Sequence, residues 1–334
     1  MSESNISWIS CHLFYSHDKL DFILKKGVQP LVILLKNKGL IEKFFFIRYR
    51  KFGPHIRLRL KLHYPDNRDS VKQEIKVYFK NFFKEYPSYR PIPKNVANGK
   101  YFWYPNNSLQ FIDYTQEIDR YGGKKGVLIA EDHFEYSSEI ILYLLKEDAP
   151  KSYEQTISAS LLINLSFSFG IGLDKVQAAQ FFKLLYNLWM PLSFRMEGGF
   201  EVDNDLKKKL SERNIALFSE SFEKERNKLL IIKEWWSKFQ NNFELLPPKI
   251  QKWINDCGNI NKKYKSTILN KDIKIPKRFK HEVSEHFSTE EIKGLDFNFW
   301  YIYQSLIHMN NNRTGLRNRD EPYVNYLIHM SLKN

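Results

Sequence analysis

Residues 44–63 alternate between apolar and polar side chains with the two-residue period of a β-hairpin. In the second strand Ile56, Leu58, Leu60 and Leu62 fall on one face, and His55, Arg57, Arg59, Lys61 and His63 on the other. The first strand sets Phe45, Ile47 and Tyr49 against Phe46, Arg48 and Arg50. Lys51 to Pro54 read as the turn, because a Gly-Pro pair stops a helix from running through. With a four-residue turn, Arg50 faces His55, Arg48 faces Arg57 and Phe46 faces Arg59.

Around this hairpin the spacing is helical. Residues 17–38 place Leu20, Ile23, Leu24, Val28, Leu31, Leu34 and Leu35 on one stripe, with Gly39 as the stop. Asp69 or Ser70 caps a helix whose buried stripe is Val71, Ile75, Tyr78, Phe79, Phe82 and Phe83, ending near Pro87. Residues 86–107 are rich in Pro, Asn, Gly and Tyr and predict a long loop with one short strand at Tyr101 to Tyr104. Leu109 to Arg120 reads as extended, and Val127 to Leu145 as helical. Helices are then expected over Tyr153 to Phe169, Asp174 to Trp189 and Asp205 to Phe239. A capping box, Ser288-Thr289-Glu290-Glu291, opens another through Phe297, Trp300, Tyr301, Gln304 and His308, and Asp320 with Pro322 opens a short terminal helix. The expected class is α+β: an antiparallel sheet with helices over about residues 1–150 and a mainly helical part over about 151–334. No linker separates them, so residues 1–334 read as one domain.

Composition limits the partners more than the chemistry. Against 38 Asp and Glu the 334-residue chain carries 52 Lys and Arg, a formal charge of +14, which favours acidic partners. Lysine runs such as 207–209 and 262–265 are accounted for by solvated helix faces. Cys11 and Cys257 have no ligand-like spacing, so neither a disulfide framework nor a zinc site is expected. No apolar run approaches the roughly 18 residues of a membrane span, and the first residues lack a signal-like pattern, which predicts a soluble, cytoplasmic protein.

The hairpin's cationic face is the main chemical signal. Like charges opposite one another repel, so Arg48 beside Arg57 calls for an anion supplied by the protein or by a substrate. A solvated outer face is the alternative. Two further clusters stand out. Glu117-Ile118-Asp119-Arg120-Tyr121-Gly122-Gly123 reads as a strand end that turns sharply, with a local Glu117–Arg120 ion pair as the plain explanation. His308-Met309-Asn310-Asn311-Asn312-Arg313 places a histidine on a last helical turn, where it is either an acid–base group or a residue favoured by the helix dipole, with an Asn-Arg pair just beyond.

In order, Phe-Ile-Arg-Tyr with Gly-Pro-His-Ile-Arg-Leu-Arg, then Glu-Ile-Asp-Arg-Tyr-Gly-Gly, then His-Met-x-x-Asn-Arg resemble the C-terminal domain of lantibiotic dehydratases, whose stand-alone members are called thiopeptide-type bacteriocin biosynthesis proteins. The resemblance spans nearly the whole chain. It implies a lyase that removes glutamate by β-elimination from glutamylated Ser and Thr of a precursor peptide, leaving dehydroalanine and dehydrobutyrine. It implies no cofactor or metal, and as partners a separate glutamyl-tRNA-dependent glutamylating subunit, a lanthionine cyclase and a second copy of the chain. Arg57, Arg59, Glu117, Arg120 and His308 match the family's functional positions. Arg48, His55, Tyr121, Asn312 and Arg313 are the candidate substrate contacts around them. The stretch between Arg59 and Arg120 is longer than the family pattern, so a remodelled substrate-facing loop is expected. Two other functions stay open: pyridine-ring formation from two dehydroalanines, as in thiopeptide pathways, and non-catalytic binding of peptide or tRNA.

Overall fold

The computed structural model describes residues 7–145, 152–193, 204–224, 226–273 and 297–333. They form two compact units, and the division falls inside one helix: residues up to Gln116 and from Phe134 to Ser152 make the first, and Glu117–His133 with Tyr153 onward the second. The α+β class expected from the sequence is the one observed.

The first unit is built on a four-stranded antiparallel sheet of order β2-β3-β1-β4, with β1 Trp8–Phe14, β2 Ile41–Tyr49, β3 His55–Leu62 and β4 Ser108–Phe111. The central strand β1 has no counterpart in the sequence reading, which placed its short strand at Tyr101–Tyr104. All seven residues of β1 are buried, so the alternation that marks a half-exposed strand is missing from it. Ile9, Cys11 and Leu13 join Phe44, Phe46, Ile56, Leu58 and Leu60 in a core face.

Helices cover that face. The chain after β1 is helical through Leu20–Phe22, a π-helical stretch Ile23–Val28 and α1, Gln29–Asn37. Helix α2, Arg68–Glu85, buries the predicted Val71, Ile75, Phe79, Phe82 and Phe83. The two segments meet at Gly27, where a Cβ would lie 3.2 Å from the Phe82 ring and where Tyr78 Oη donates to the Gly27 carbonyl at 3.0 Å. Helix α3, Lys124–Leu144, covers the free edge of β2 with its second half. The Phe46 N–H donates to Ser138 Oγ at 3.2 Å, and the Phe44 N–H to the Glu135 carboxylate. Strand edge donors that would otherwise invite another strand are thereby satisfied. Burial pushes the Glu135 carboxyl up, and Lys36 at 2.8 Å opposes it.

The hairpin differs from expectation by one residue. Its turn has five residues, Arg50–Pro54, closed by a Gly53 N–H to Arg50 carbonyl bond of 3.0 Å, with Phe52 at φ 67° and Gly53 at φ 104°. The positive φ at two successive positions sets a longer turn than Gly-Pro alone implied. Tyr49 therefore faces His55, Ile47 faces Arg57, and Phe45 faces Arg59. Arg48 faces Ile56 and lies on the helix-covered side, because a one-residue slip reverses every side chain. There it pairs with Asp21. The repulsion expected between Arg48 and Arg57 does not arise.

The second unit is helical: α4 Tyr153–Gly170, α5 Lys175–Ser193, α6 Asn204–Lys224, α7 Arg226–Asn241, α8 Pro248–Leu269, α9 Phe297–Thr314 and α10 Glu321–Lys333, with the first half of α3. The single helix expected over Asp205 to Phe239 is α6 and α7, with Glu225 outside the described residues. The Ser288–Glu291 capping box also lies outside them. Helix α8, of which the sequence reading had only a solvated helical face at residues 262–265, buries Ile250, Trp253, Ile254, Cys257, Ile260 and Tyr264 at helical spacing. It crosses α4 closely at glycines: a Cβ on Gly170 would sit 2.6 Å from the Ile254 carbonyl and 2.8 Å from Cys257 Cβ. Where an extended stretch was expected, only Ser108–Phe111 is strand, and Asp119–Tyr121 forms a 3-10 turn ending at Gly122, φ 86°. Helix α9 runs to Thr314, so Asn312 and Arg313 lie inside it and His308 is not on its last turn.

Replacing Gly170 by Ala forces α4 and α8 apart. A loss of about 1–3 kcal/mol in unfolding free energy is expected from urea denaturation.

Candidate functional site

On the sheet face opposite the helices, β1 and β3 place Ser10 opposite Arg59, His12 opposite Arg57 and Phe14 opposite His55. Arg59 is 4% exposed. Its Nη1 donates to Ser10 Oγ, whose hydroxyl donates in turn to the Ile112 carbonyl, and its guanidinium carbon lies 5.2 Å from the Tyr114 ring centre. Burial, then repulsion from Arg57, lowers its pKa to about 10, so it stays charged at neutral pH. Arg59 has no ion pair among the described residues, and its Nε is buried without a hydrogen-bond partner.

Arg57 is half-exposed and lies flat on Tyr49, with its guanidinium carbon 3.4 Å from the ring centre. Its Nε donates to His55 Nε2 at 3.4 Å, while His55 Nδ1 donates to the Gly53 carbonyl at 2.8 Å. Both contacts suit a neutral His55 carrying its proton on Nδ1. Burial lowers its pKa to about 4, with Arg57 and Arg59 adding to the effect. His12 stacks on His55, ring centres 4.9 Å apart, and burial with Arg59, His55 and Arg57 lowers its pKa to about 2.

The second unit carries the other candidates. Arg120 Nη1 donates to Glu117 Oε2 at 3.2 Å, the local pair the sequence allowed, and its Nε reaches Ser305 Oγ at 3.4 Å. Ser305 and His308 are three residues apart on α9 and share a face, so Arg120 is brought within a helical turn of His308. Tyr121 is buried, and burial pushes its phenol up. His308 stacks on Trp189 with ring centres 4.3 Å apart, and its Nδ1 donates to Glu321 Oε1 at 2.8 Å. Glu321 is fully buried and also accepts from Asn311 Nδ2 at 3.2 Å, and Asn164 Nδ2 donates to Asn311 Oδ1 at 2.8 Å. With Nδ1 donating, the lone pair of a neutral His308 is on Nε2. The role of substrate contact does not suit Arg313, which is fully buried with Nη1 donating to the Met309 carbonyl at 3.1 Å. Asn312 is half-buried.

The structure thus groups Arg57, Arg59 and His55 on one sheet face, pairs Glu117 with Arg120, and gives His308 an acidic partner. Arg48 is separated from the arginine face and already paired with Asp21. Ser10, His12, Tyr114, Ser305 and Glu321 escaped the sequence reading, and Tyr49 and Trp189 entered it only as strand and helix residues. Ser10 and His12 lie on a strand buried on both faces, so no alternation marks them. Nothing local marks Glu321, thirteen residues beyond His308. No group of three or more His, Cys, Asp or Glu among the described residues is placed to hold a metal ion, and no helix among them is long and apolar enough to cross a membrane.

The model of the family "Lantibiotic biosynthesis dehydratase C-term" matches residues 8–332. The epidermin biosynthesis protein EpiB of Staphylococcus epidermidis is 26% identical over 162 residues, 47% of this chain and 14% of EpiB. The matched stretch therefore covers about a seventh of that relative's length. Among solved structures, the pyridine synthase TbtD from thiomuracin biosynthesis superposes with a TM-score of 0.69 at 13% identity, over 98% of this chain and 97% of TbtD. The tRNA-dependent lantibiotic dehydratase MibB of Microbispora sp. 107891 gives 0.58 at 16% identity, over the whole of this chain and 28% of MibB. TsrL gives 0.65 at 15% identity, over 98% and 94%. At these identities the likeness is one of fold.

The depressed histidines make stability depend on pH. Folded His12 and His55 stay neutral while the unfolded chain takes up protons below its pKa of 6.5, so stability is full above that value and falls as pH drops toward 4. Buried His133, lowered to about 3, adds to the loss. Urea midpoints measured between pH 7 and 4.5 should fall with acid, and His55→Gln should flatten the slope.

Proposed function

The chain belongs to the lantibiotic dehydratase C-terminal family, and from that membership we propose that it removes glutamate by β-elimination from glutamylated Ser and Thr residues of a precursor peptide. The observation that carries this reading is Arg59. It is a buried guanidinium beside Arg57, on strands whose single carboxylate, Glu42, pairs with Lys61. A substrate carboxylate is a counter-charge that Arg59 does not have among the described residues.

In the elimination a base takes the Cα proton of the esterified residue. The electron pair left behind forms the Cα–Cβ double bond, the Cβ–O bond breaks, and glutamate leaves as a carboxylate. A neutral His308 with its lone pair on Nε2 suits the proton transfer, and Glu321 fixes that tautomer and stabilises the imidazolium that forms. Arg57 and Arg59 are assigned to the carboxylate charge, and Arg120, oriented by Glu117, to the enolate-like charge that develops as the proton leaves. Transfer of glutamate onto the peptide is assigned to a separate glutamyl-tRNA-dependent subunit, and ring closure on the dehydrated residues to a cyclase.

The end-to-end fold correspondence with TbtD favours a second reading, joining of two dehydroalanines into a pyridine ring with loss of the leader. That chemistry has no glutamate to hold, so the arginine face weighs against it. A peptide already containing two dehydroalanines separates the two readings by mass, since only ring formation sheds the leader.

With a synthetic glutamylated precursor, wild-type protein should release glutamate and leave the peptide dehydrated. Arg57→Ala and His308→Ala should each slow release roughly a hundredfold or more, the effect of losing one charge-stabilising or proton-transferring group. Glu321→Gln should slow it about tenfold or more by loosening the His308 tautomer. Unimpaired release by Arg57→Ala and His308→Ala would sink the assignment.

A further inference from the structure

The long loop over residues 86–107 carries a guanidinium with no acid beside it. Arg90 is half-exposed, yet its Nε and Nη1 are buried without a hydrogen-bond partner, and it has no ion pair among the described residues. Burial lowers its pKa, and no neighbouring acid opposes the shift. Its Nη2 donates to the Tyr104 carbonyl at 2.6 Å, and its guanidinium carbon lies 5.0 Å from the Trp103 ring centre. These contacts orient the charge and leave it uncancelled. Buried polar groups are nearly always paired, so idle N–H groups on a cation call for an explanation.

The place of the loop in the first unit supplies one. The Tyr104 N–H donates to the Phe52 carbonyl at 3.0 Å, and the Tyr104 ring centre lies 4.7 Å from that of Phe14, itself 4.4 Å from that of His55. The loop is thereby pinned to the turn end of β3, the strand that carries His55, Arg57 and Arg59. Gly53 makes the approach possible, because a Cβ there would sit 2.7 Å from Arg90 Nη1. Arg90 is close enough for its charge to help depress His55.

We propose that Arg90 is a specificity-determining residue that binds a carboxylate of the acyl group on the substrate and so selects an acidic acyl group over a neutral one. The inference rests on the elimination reading for the identity of that acyl group, and on geometry for the anion preference. A glutamyl ester holds one carboxyl in the ester bond, released as a carboxylate when the Cβ–O bond breaks, and a second that is ionised from the start. Arg90 is assigned to the second. A carboxylate takes two parallel bonds from a guanidinium and brings a full charge, which the neutral Tyr104 carbonyl does not equal. Trp103 and Tyr104 hold the fork before substrate arrives, which lowers the ordering cost of binding.

The test compares L-glutamate with L-glutamine, which differ by one carboxylate at nearly equal size, as probes in calorimetric titration of the full chain. Wild-type protein should bind glutamate about tenfold to a hundredfold more tightly than glutamine, the range for a hydrogen-bonded charge pair. Arg90→Gln should erase that preference and leave glutamine affinity unchanged, and Arg90→Lys, which keeps the charge, should retain part of it. Equal loss of affinity for both probes in Arg90→Gln would mean that the residue shapes the loop and nothing more, and would overturn the proposal. So would equal affinity of wild-type protein for the two probes, a result that needs no variant and holds if Arg90→Gln does not fold. If the preference follows the predicted pattern while wild-type protein releases no glutamate from the glutamylated peptide, the role of Arg90 stands and the elimination reading fails. If glutamate is released while Arg90→Gln keeps the full wild-type preference, the elimination reading stands and the role of Arg90 fails.

Discussion

A guanidinium buried in a sheet face is costly unless its surroundings replace the water it has lost, and Arg59 is such a group. Its charge is met by a serine hydroxyl, by the face of Tyr114 and by no acid among the described residues. Arg57 lies over the Tyr49 ring and donates to the His55 imidazole. Such contacts soften a charge without cancelling it. Arg59 therefore keeps its charge, and the rest of the first unit can be understood as what holds that guanidinium in place.

The support comes from the opposite side of the same strands. Ile56, Leu58 and Leu60 are fully buried, as are Ile9, Cys11 and Leu13 of β1, so the backbone carrying the arginines is fixed by a dry core. Burial also pushes the Cys11 thiol up to about 12, which leaves it an apolar filler rather than a nucleophile. At the sheet edge, Glu135 and Ser138 answer backbone donors of β2 and keep that edge from pairing elsewhere.

The second unit shows a different device. His308 is held by a ring on one side and a buried carboxylate at its Nδ1, and that carboxylate is tied through Asn311 to Asn164. A hydrogen-bonded chain of this kind fixes one orientation and one tautomer, which is what proton transfer needs and what a solvated histidine lacks. Arg120 is steadied in the same manner by Glu117 and by Ser305, one turn from His308 on the same helix.

Local pattern determined a good deal of this by itself. Alternation in residues 44–63 was enough to find both hairpin strands and to put Arg57, Arg59 and His55 on one face, because side-chain direction in a strand has a period of two whatever lies around it. Helical spacing found the α2 stripe for the same reason, and the motif order found the family. Tertiary structure decided the rest. The register turned on two left-handed residues, Phe52 and Gly53, and their one-residue shift moved Arg48 away from the arginine face to Asp21. The central strand was hidden because burial on both sides erases alternation, and His12 was hidden with it. Glu321 and Ser305 acquire meaning only when the chain brings them to His308 and Arg120, and no short-range pattern encodes a contact between residues 185 apart.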